Sequence, residues 1–362
     1  MIGVRRAATA AAAAVLLVPF AARSAAPATA APVSVPVQSR AVSFQVHNTN
    51  RSMVPCTSDG AAYTIVGHLV GPAAPPGAES TARPVVLDLH GLGFGEFFWS
   101  FDAVGGYDWA RTLAERGVAS VVIDRIGYGR SGHPPGAQSC IGAQADVAHQ
   151  IVQQLRSGGY ALEGGDAVKF VRVALAGHSA GGAITQVEAY SFRDVDGVMV
   201  LSFSDLVGSL RTYTALTQAV VVCLGGGNPP GHAPFGQSDA DFQALMFHDA
   251  DPKVIAAVTA RRNPEPCGDD ASLLAAIATD VREVPSITVP VLLLIGDHDA
   301  VFPPPALQSQ RRLFAGSHDV TAVTIPDTGH AVTVERSAGV TRDAVISWLC
   351  GHAFCAADPA NH

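Results

Sequence analysis

Six short aliphatic runs punctuate the chain, at Val85–Leu89, Val118–Ile123, Val171–Ala176, Val198–Leu201, Val291–Ile295 and Val320–Ile325. Each is four to six residues long and mainly aliphatic. Such runs suit strands buried on both faces of a parallel sheet. Longer amphipathic stretches lie between or after them: Tyr107–Arg116, Ile141–Arg156, Ala180–Tyr190, Pro304–Phe314 and Arg342–Leu349. In the last, Val345, Trp348 and Leu349 fall on one helical face. Strand and helix in repeated alternation predict a doubly wound, mostly parallel α/β sheet. Two earlier stretches with β character, Val42–Val46 and Tyr63–Val70, predict an antiparallel start to it.

One interval breaks the alternation. From about Leu206 to Pro285 there is no long aliphatic run, only Gly/Pro clusters and short helical patches. Some eighty residues are too many for a connecting loop in a compact domain. They are expected to form a helical cap over the carboxyl edge of the sheet. The boundaries drawn are a leader at 1–30, a first part of the core at 31–205, the cap insertion at 206–287 and a second part of the core at 288–362.

Composition narrows the function classes. Of 362 residues 48% are apolar and 15% charged, which excludes a disordered chain and a coiled coil. A formal net charge of −8 with no basic run argues against a nucleic-acid surface. The start reads as a secretory leader: Arg5 and Arg6, an apolar run from Ala7 to Ala22, then the small residues Ala28-Thr29-Ala30. The run is short for a membrane span, and no Cys near the cleavage region offers a lipid anchor. A secreted protein with no stable membrane anchor is expected, by the general or the twin-arginine route. The six cysteines, Cys56, Cys140, Cys223, Cys267, Cys350 and Cys355, all follow the leader. An even count in an exported chain predicts three disulfides, with buried free thiols as the alternative. Six cysteines allow 15 pairings. Local proximity favours Cys350–Cys355, bracketing of one segment favours Cys223–Cys267, and Cys56–Cys140 is then what remains.

The chemistry concentrates at Gly177-His178-Ser179-Ala180-Gly181, which follows one aliphatic run directly and opens a helix. A G-x-S-x-G at a strand-to-helix turn forces the serine into a sharp bend with its hydroxyl exposed. A hydroxyl is a poor nucleophile until a base takes its proton and a carboxylate holds that base. Both partners follow in order. Gly296-Asp297-His298-Asp299 ends the run Val291–Ile295, and Asp327-Thr328-Gly329-His330 follows Val320–Ile325. All of these lie just beyond carboxyl ends of strands, where ligands gather on open α/β sheets.

On these motifs the chain resembles the α/β-hydrolase family from about Val85 to Leu349. The resemblance implies an α/β-hydrolase fold, with Ser179 as nucleophile, His330 as base and Asp299 as acid. It also matches His90-Gly91-Leu92-Gly93 to an oxyanion segment, implying backbone N–H donors from Leu92 and Ala180. The turn Asp124-Arg125-Ile126-Gly127-Tyr128-Gly129-Arg130-Ser131 matches as well. The rings of Phe94, Phe97, Phe98 and Trp99, just after the oxyanion segment, are expected to include walls of an apolar substrate pocket.

Rival readings exist for several of these residues. Ser179 alone would serve as a helix N-cap. Asp297 and Asp205 compete with Asp299 for the acid, and His178, His298 and His318 compete with His330. His90 reads as an organiser of the oxyanion loop. Asp297, His298 and Asp299 lie on one turn and are not expected to converge on a metal ion. Gly127-Tyr128-Gly129-Arg130-Ser131-Gly132 fits G-x-G-x-x-G, but His133-Pro134-Pro135 follows it where a dinucleotide site needs a helix. The expectation is a serine esterase or lipase without cofactor or metal, acting on a small, apolar carboxylic ester. Acyl transfer and lactonase, amidase or peptidase specificity are the alternatives, and the oligomeric state is left open.

Overall fold

The computed structural model describes residues 1–3, 36–73 and 83–355. The chain divides into two units, Met1–Val33 and Ser34–His362. Of the first, only residues 1–3 are described, so the expected leader and its cleavage region lie outside the described residues.

The second unit is a nine-stranded sheet. In chain order its elements begin with β1 (Val37–His47), β2 (Ala62–Pro72), β3 (Arg83–Leu89), α1 (Trp109–Glu115), β4 (Ser120–Ile123), α2 (Ile141–Ser157) and β5 (Ala161–Leu162). They continue with β6 (Phe170–His178), α3 (Ala180–Phe192), β7 (Gly197–Leu201), α4 (Leu210–Leu224), β8 (His232–Ala233), α5 (Asp239–Met246) and α6 (Pro252–Arg261). The last are β9 (Glu265–Pro266), α7 (Cys267–Glu283), β10 (Val291–Gly296), α8 (Ala306–Leu313), β11 (Val320–Ile325) and α9 (Ala338–Gly351). The sheet order is β11-β10-β7-β6-β3-β4-β2-β1-β5. The strands from β11 to β4 pair in parallel, whereas β2, β1 and β5 join antiparallel. This is the α/β-hydrolase arrangement: a mostly parallel sheet with helices on both faces.

The aliphatic runs became strands because helices cover both sides of them. Every residue of β4, β7 and β10 is buried. The run Val320–Ile325 departs from that expectation. It forms β11 at the sheet edge, paired only with β10, and of its residues only Ile325 is buried. A β-branched sequence fits a half-covered edge as well as a covered centre, so its composition did not separate the two.

One core position is unusual. Asp88 sits within β3, fully buried, and neither carboxylate oxygen has a hydrogen-bond partner. Burial pushes its pKa well above the ordinary carboxylate range. The charged form is thereby disfavoured.

Between β7 and β10 the chain builds four helices, α4 to α7, and a two-stranded ribbon of β8 and β9. Buried polar contacts fasten α7 to the parallel-sheet layer. Tyr128 donates to Asp269 at 2.7 Å, Arg125 lies 3.4 Å from the same carboxylate, and Gln144 also donates to it. The cysteines are joined as Cys56–Cys140, Cys223–Cys267 and Cys350–Cys355. The second bond ties the end of α4 to the start of α7. No helix among the described residues is long and apolar enough to cross a membrane.

Candidate active site

Ser179 stands between β6 and α3 with φ 53° and ψ −122°. That is left-handed territory for a residue with a Cβ, and only an over-determined surrounding holds it there. The surrounding is the pair of glycines. A Cβ on Gly177 would lie 2.0 Å from the Gly181 carbonyl, and one on Gly181 would lie 2.1 Å from the Leu89 carbonyl. The strand, the helix and the end of β3 therefore meet backbone to backbone, and the serine is pushed outward at their junction. Ser179 makes no side-chain cap to α3, so the N-cap reading fails.

Beyond β10, Asp299 is buried and its Oδ1 accepts the backbone N–H groups of Val301 (2.8 Å) and Phe302 (2.9 Å). Nδ1 of His330, beyond β11, lies 3.0 Å from Oδ1 and 2.9 Å from Oδ2. An ionised carboxylate is an acceptor only, so Nδ1 carries the proton and donates. Nε2 of His330 is buried and has no hydrogen-bond partner among the described residues. Thus Asp299 and His330 are joined by a hydrogen bond, while Ser179 and His330 are not.

The rivals are occupied elsewhere. Asp297 accepts the N–H of Thr328 at 3.2 Å and shapes the turn. Asp205 is buried against Gln310 (2.8 Å) and Gln186 (3.2 Å) beside Asp280, and among the described residues no histidine hydrogen-bonds to it. Burial, with the adjoining Asp205 charge, pushes the Asp280 pKa well above the carboxylate range. His298 is exposed and stacks on His248, with ring centroids 3.7 Å apart, and His318 is exposed.

His178, by contrast, has a structural task that the motif did not announce. It is fully buried and donates from Nε2 to the backbone carbonyl of His330 at 3.0 Å. Burial, then the neighbouring His330, holds its pKa well below the usual imidazole value, so it stays neutral. The elbow residue before Ser179 thereby positions the main chain of His330.

The loop after β3 shows a second piece of backbone control. His90 is buried, accepts the N–H of Arg125 at Nε2 (3.1 Å) and so donates from Nδ1 to the carbonyl of Gly91 (2.9 Å). That carbonyl shares its peptide plane with the N–H of Leu92, so fixing one aims the other. Among the described residues the N–H groups of Leu92 and Ala180 have no hydrogen-bond acceptor. Both residues, with Ser179, line one narrow cavity of about 50 Å³.

The rest of that cavity corrects the expectation for the aromatic run. Phe94, Phe98 and Trp99 are fully buried in the core, and Phe97 lines a different, polar depression beside Glu96 and Arg261. The reason is His178. Phe98 stacks on it (4.3 Å) and Phe94 meets its edge (5.5 Å), so these rings wall off the buried imidazole. The cavity walls are instead Phe203, Phe235, Val301 and Phe302, with Thr212, Tyr213 and Leu216 of α4 and Leu273 and Ile277 of α7. A hint was present in the sequence: Phe302 follows Asp299 by three residues, on the turn that carries the acid.

The G-x-G-x-x-G stretch has its own explanation. Asp124 closes the loop on itself, accepting the N–H groups of Arg130 and Glu96, both at 2.9 Å. A Cβ on Gly129 would lie 2.3 Å from that carboxylate, so the glycine serves the turn and no phosphate.

A strained serine at the strand-to-helix elbow of a parallel sheet, with a carboxylate-held histidine beyond two later strands, defines a class of α/β proteins. The profile of the Alpha/beta hydrolase family matches residues 85–344, and the chain belongs to that family. Among solved structures it is similar to an esterase from Thermogutta terrifontis, with a TM-score of 0.59 and 20% identity over 86% of this chain and 99% of that one. It is also similar to a monoacylglycerol lipase from Paleococcus ferrophilus, with a TM-score of 0.55 and 20% identity over 75% and 96%. An esterase from Exiguobacterium antarcticum gives a TM-score of 0.57 and 17% identity over 83% and 98%.

Proposed function

We propose that this chain is an exported serine hydrolase that cleaves small, apolar carboxylic esters through Ser179, His330 and Asp299. The observation that carries the reading is the unpartnered Nε2 of a histidine held through Nδ1 by Asp299, beyond the same end of the parallel strands as a serine on a strained elbow. In the proposed reaction, Oγ of Ser179 attacks the ester carbonyl as Nε2 takes its proton. The N–H groups of Leu92 and Ala180 receive the oxygen that becomes negative. Each such donor lowers the barrier by roughly 3–4 kcal/mol. The imidazolium, steadied by Asp299, returns the proton to the departing alkoxide. Water then enters, is deprotonated by the same nitrogen and releases the acid from Ser179.

Three further observations support the reading. The similar structures are of proteins named esterases and a lipase. The walls of the cavity are mainly hydrocarbon, which suits an apolar acyl or alcohol group. Helix α4, which lends Thr212, Tyr213 and Leu216 to that cavity, also leaves Leu210, Tyr213, Val221 and Leu224 exposed. Export is supported by the composition of residues 1–30 and by six cysteines joined in three pairs.

The test is turnover of p-nitrophenyl acetate and butyrate by the mature protein, together with a fluorophosphonate label located by peptide mass spectrometry. The expected result is labelling at Ser179 and loss of both turnover and label in Ser179→Ala. Retained turnover in that variant would overturn the assignment.

A further inference from the structure

Away from the cavity, three ligand-type side chains meet between α2, α3 and the loop after α3. His149 of α2, Glu188 of α3 and Asp194 present a nitrogen and carboxylate oxygens that all lie within 4.8 Å of one another. Nδ1 of His149 is 2.8 Å from Oδ2 of Asp194, and Gln153 donates to the same oxygen. The remaining oxygens are the anomaly. Glu188 is fully buried, and Oε1 and Oε2 of Glu188 and Oδ1 of Asp194 all lack a partner.

Buried polar atoms are nearly always satisfied, so three orphans in one cluster require an occupant. A proton shared between Glu188 and Asp194 engages one oxygen of each and leaves the third bare. Arg156 is close, but its guanidinium is engaged by Asp196 and by the carbonyl of Asp194, each at 2.7 Å. Nδ1 of His149 is given to Asp194, so no protein donor reaches Glu188, and one divalent cation would engage both carboxylates together with the imidazole.

We propose that His149, Glu188 and Asp194 form a structural site for one divalent transition-metal ion, with zinc the best match. One imidazole with two carboxylates suits zinc, whereas calcium and magnesium prefer all-oxygen sets. Tetrahedral zinc with bonds near 2.1 Å separates its ligand atoms by roughly 3.4 Å, inside the 4.8 Å that bounds their separations here. The side chains of His149 and Asp194 are 18% and 17% exposed, which leaves an entry from solvent and room for a water as fourth ligand. Gln153 then acts from behind, orienting Asp194. The ion would pin α2 to the far end of the helix whose first turn follows Ser179.

The experiment uses the mature, disulfide-bonded protein, stripped with EDTA and given one equivalent of zinc chloride. Expected are one zinc per chain after gel filtration, by elemental analysis, and a Tm several degrees above the stripped protein. Glu188→Gln keeps the shape but removes a charged ligand. It should lose at least tenfold in zinc affinity, show no zinc-dependent rise in Tm, and match or exceed the stripped parent in Tm. His149→Gln, at a partly exposed position, repeats the affinity test if Glu188→Gln does not fold. His298→Ala separately removes the exposed His248, His298 and Asp327 group and should leave the stoichiometry at one. Zinc retained equally by Glu188→Gln or His149→Gln, zinc lost in His298→Ala, or a parent that binds none would overturn the site and leave a shared proton.

Discussion

Replacing Asp299 by Asn separates orientation from packing in the proposed reaction. Oδ1 accepts the N–H groups of Val301 and Phe302 at 2.8 and 2.9 Å, so in the variant the amide oxygen must occupy that position. A flipped amide would set N–H against N–H twice, forfeiting two buried hydrogen bonds at about 1–3 kcal/mol each. The amide nitrogen is therefore fixed where Oδ2 stood, 2.9 Å from Nδ1 of His330. Nδ1 then faces an NH2 donor at 2.9 Å and, at 3.0 Å, only a neutral oxygen already taking two N–H groups, which favours moving its proton to Nε2. That nitrogen then cannot take the proton of Ser179. The same substitution in a serine protease triad lowers kcat by about 10⁴, or about 5.4 kcal/mol of barrier. We expect a similar fall here on p-nitrophenyl butyrate at neutral pH. KM should change little, because Asp299 does not line the cavity. Tm should also change little, because both backbone N–H groups keep their acceptor. Asp299→Ala is the contrasting control: it leaves both donors bare and should lower Tm as well as kcat. A kcat for Asp299→Asn within tenfold of the parent would refute the tautomer argument, and with it the role of Asp299.

Other expected outcomes rest on separate parts of the molecule. His90→Ala releases the peptide plane shared by Gly91 and Leu92, so kcat should fall by up to the roughly 10²–10³ that one lost oxyanion donor costs, with KM affected far less; equal losses in both parameters would count against it. For Asp88 the folded pKa is raised, so between the unfolded value and the folded one the unfolded chain holds fewer protons and stability falls as pH rises. Asp88→Asn removes that slope: its Tm advantage over the parent should be largest at pH 7–8 and vanish towards pH 4, and a constant difference would refute it. Loop-closure entropy gives about 4.6 kcal/mol for the Cys56–Cys140 bond, which spans 84 residues, and about 2 kcal/mol for Cys350–Cys355, which spans 5. Urea unfolding of the two paired Cys→Ser variants should rank them in that order.

Much of the architecture was legible because the aliphatic runs were too uniform for any element with an exposed face. The exception, Val320–Ile325, shows the limit: composition reports suitability for a sheet, whereas position within it depends on partners far away in the chain. At the site, Gly177, Ser179 and Gly181 were readable because backbone crowding at the elbow demands those residue types. Asp299 and His330 were readable because their chain order follows from the family's topology. The aromatic cluster was not. Whether Phe94, Phe98 and Trp99 face substrate or core depended on the buried ring of His178, some eighty residues away. The true walls, such as Tyr213, Leu216, Leu273 and Ile277, sit on amphipathic helices, whose apolar faces look alike whether they cover a core or a ligand.

The cavity has two kinds of author. Ser179, Leu92 and Ala180 project from the parallel-sheet layer, while Tyr213, Leu216, Leu273 and Ile277 hang from α4 and α7, stapled together by Cys223–Cys267. In the proposed reaction, bond breaking and substrate choice would thus be written on separable stretches of polypeptide. Drift or deliberate exchange within those two helices would then retune which molecules are admitted while leaving the cleavage apparatus intact.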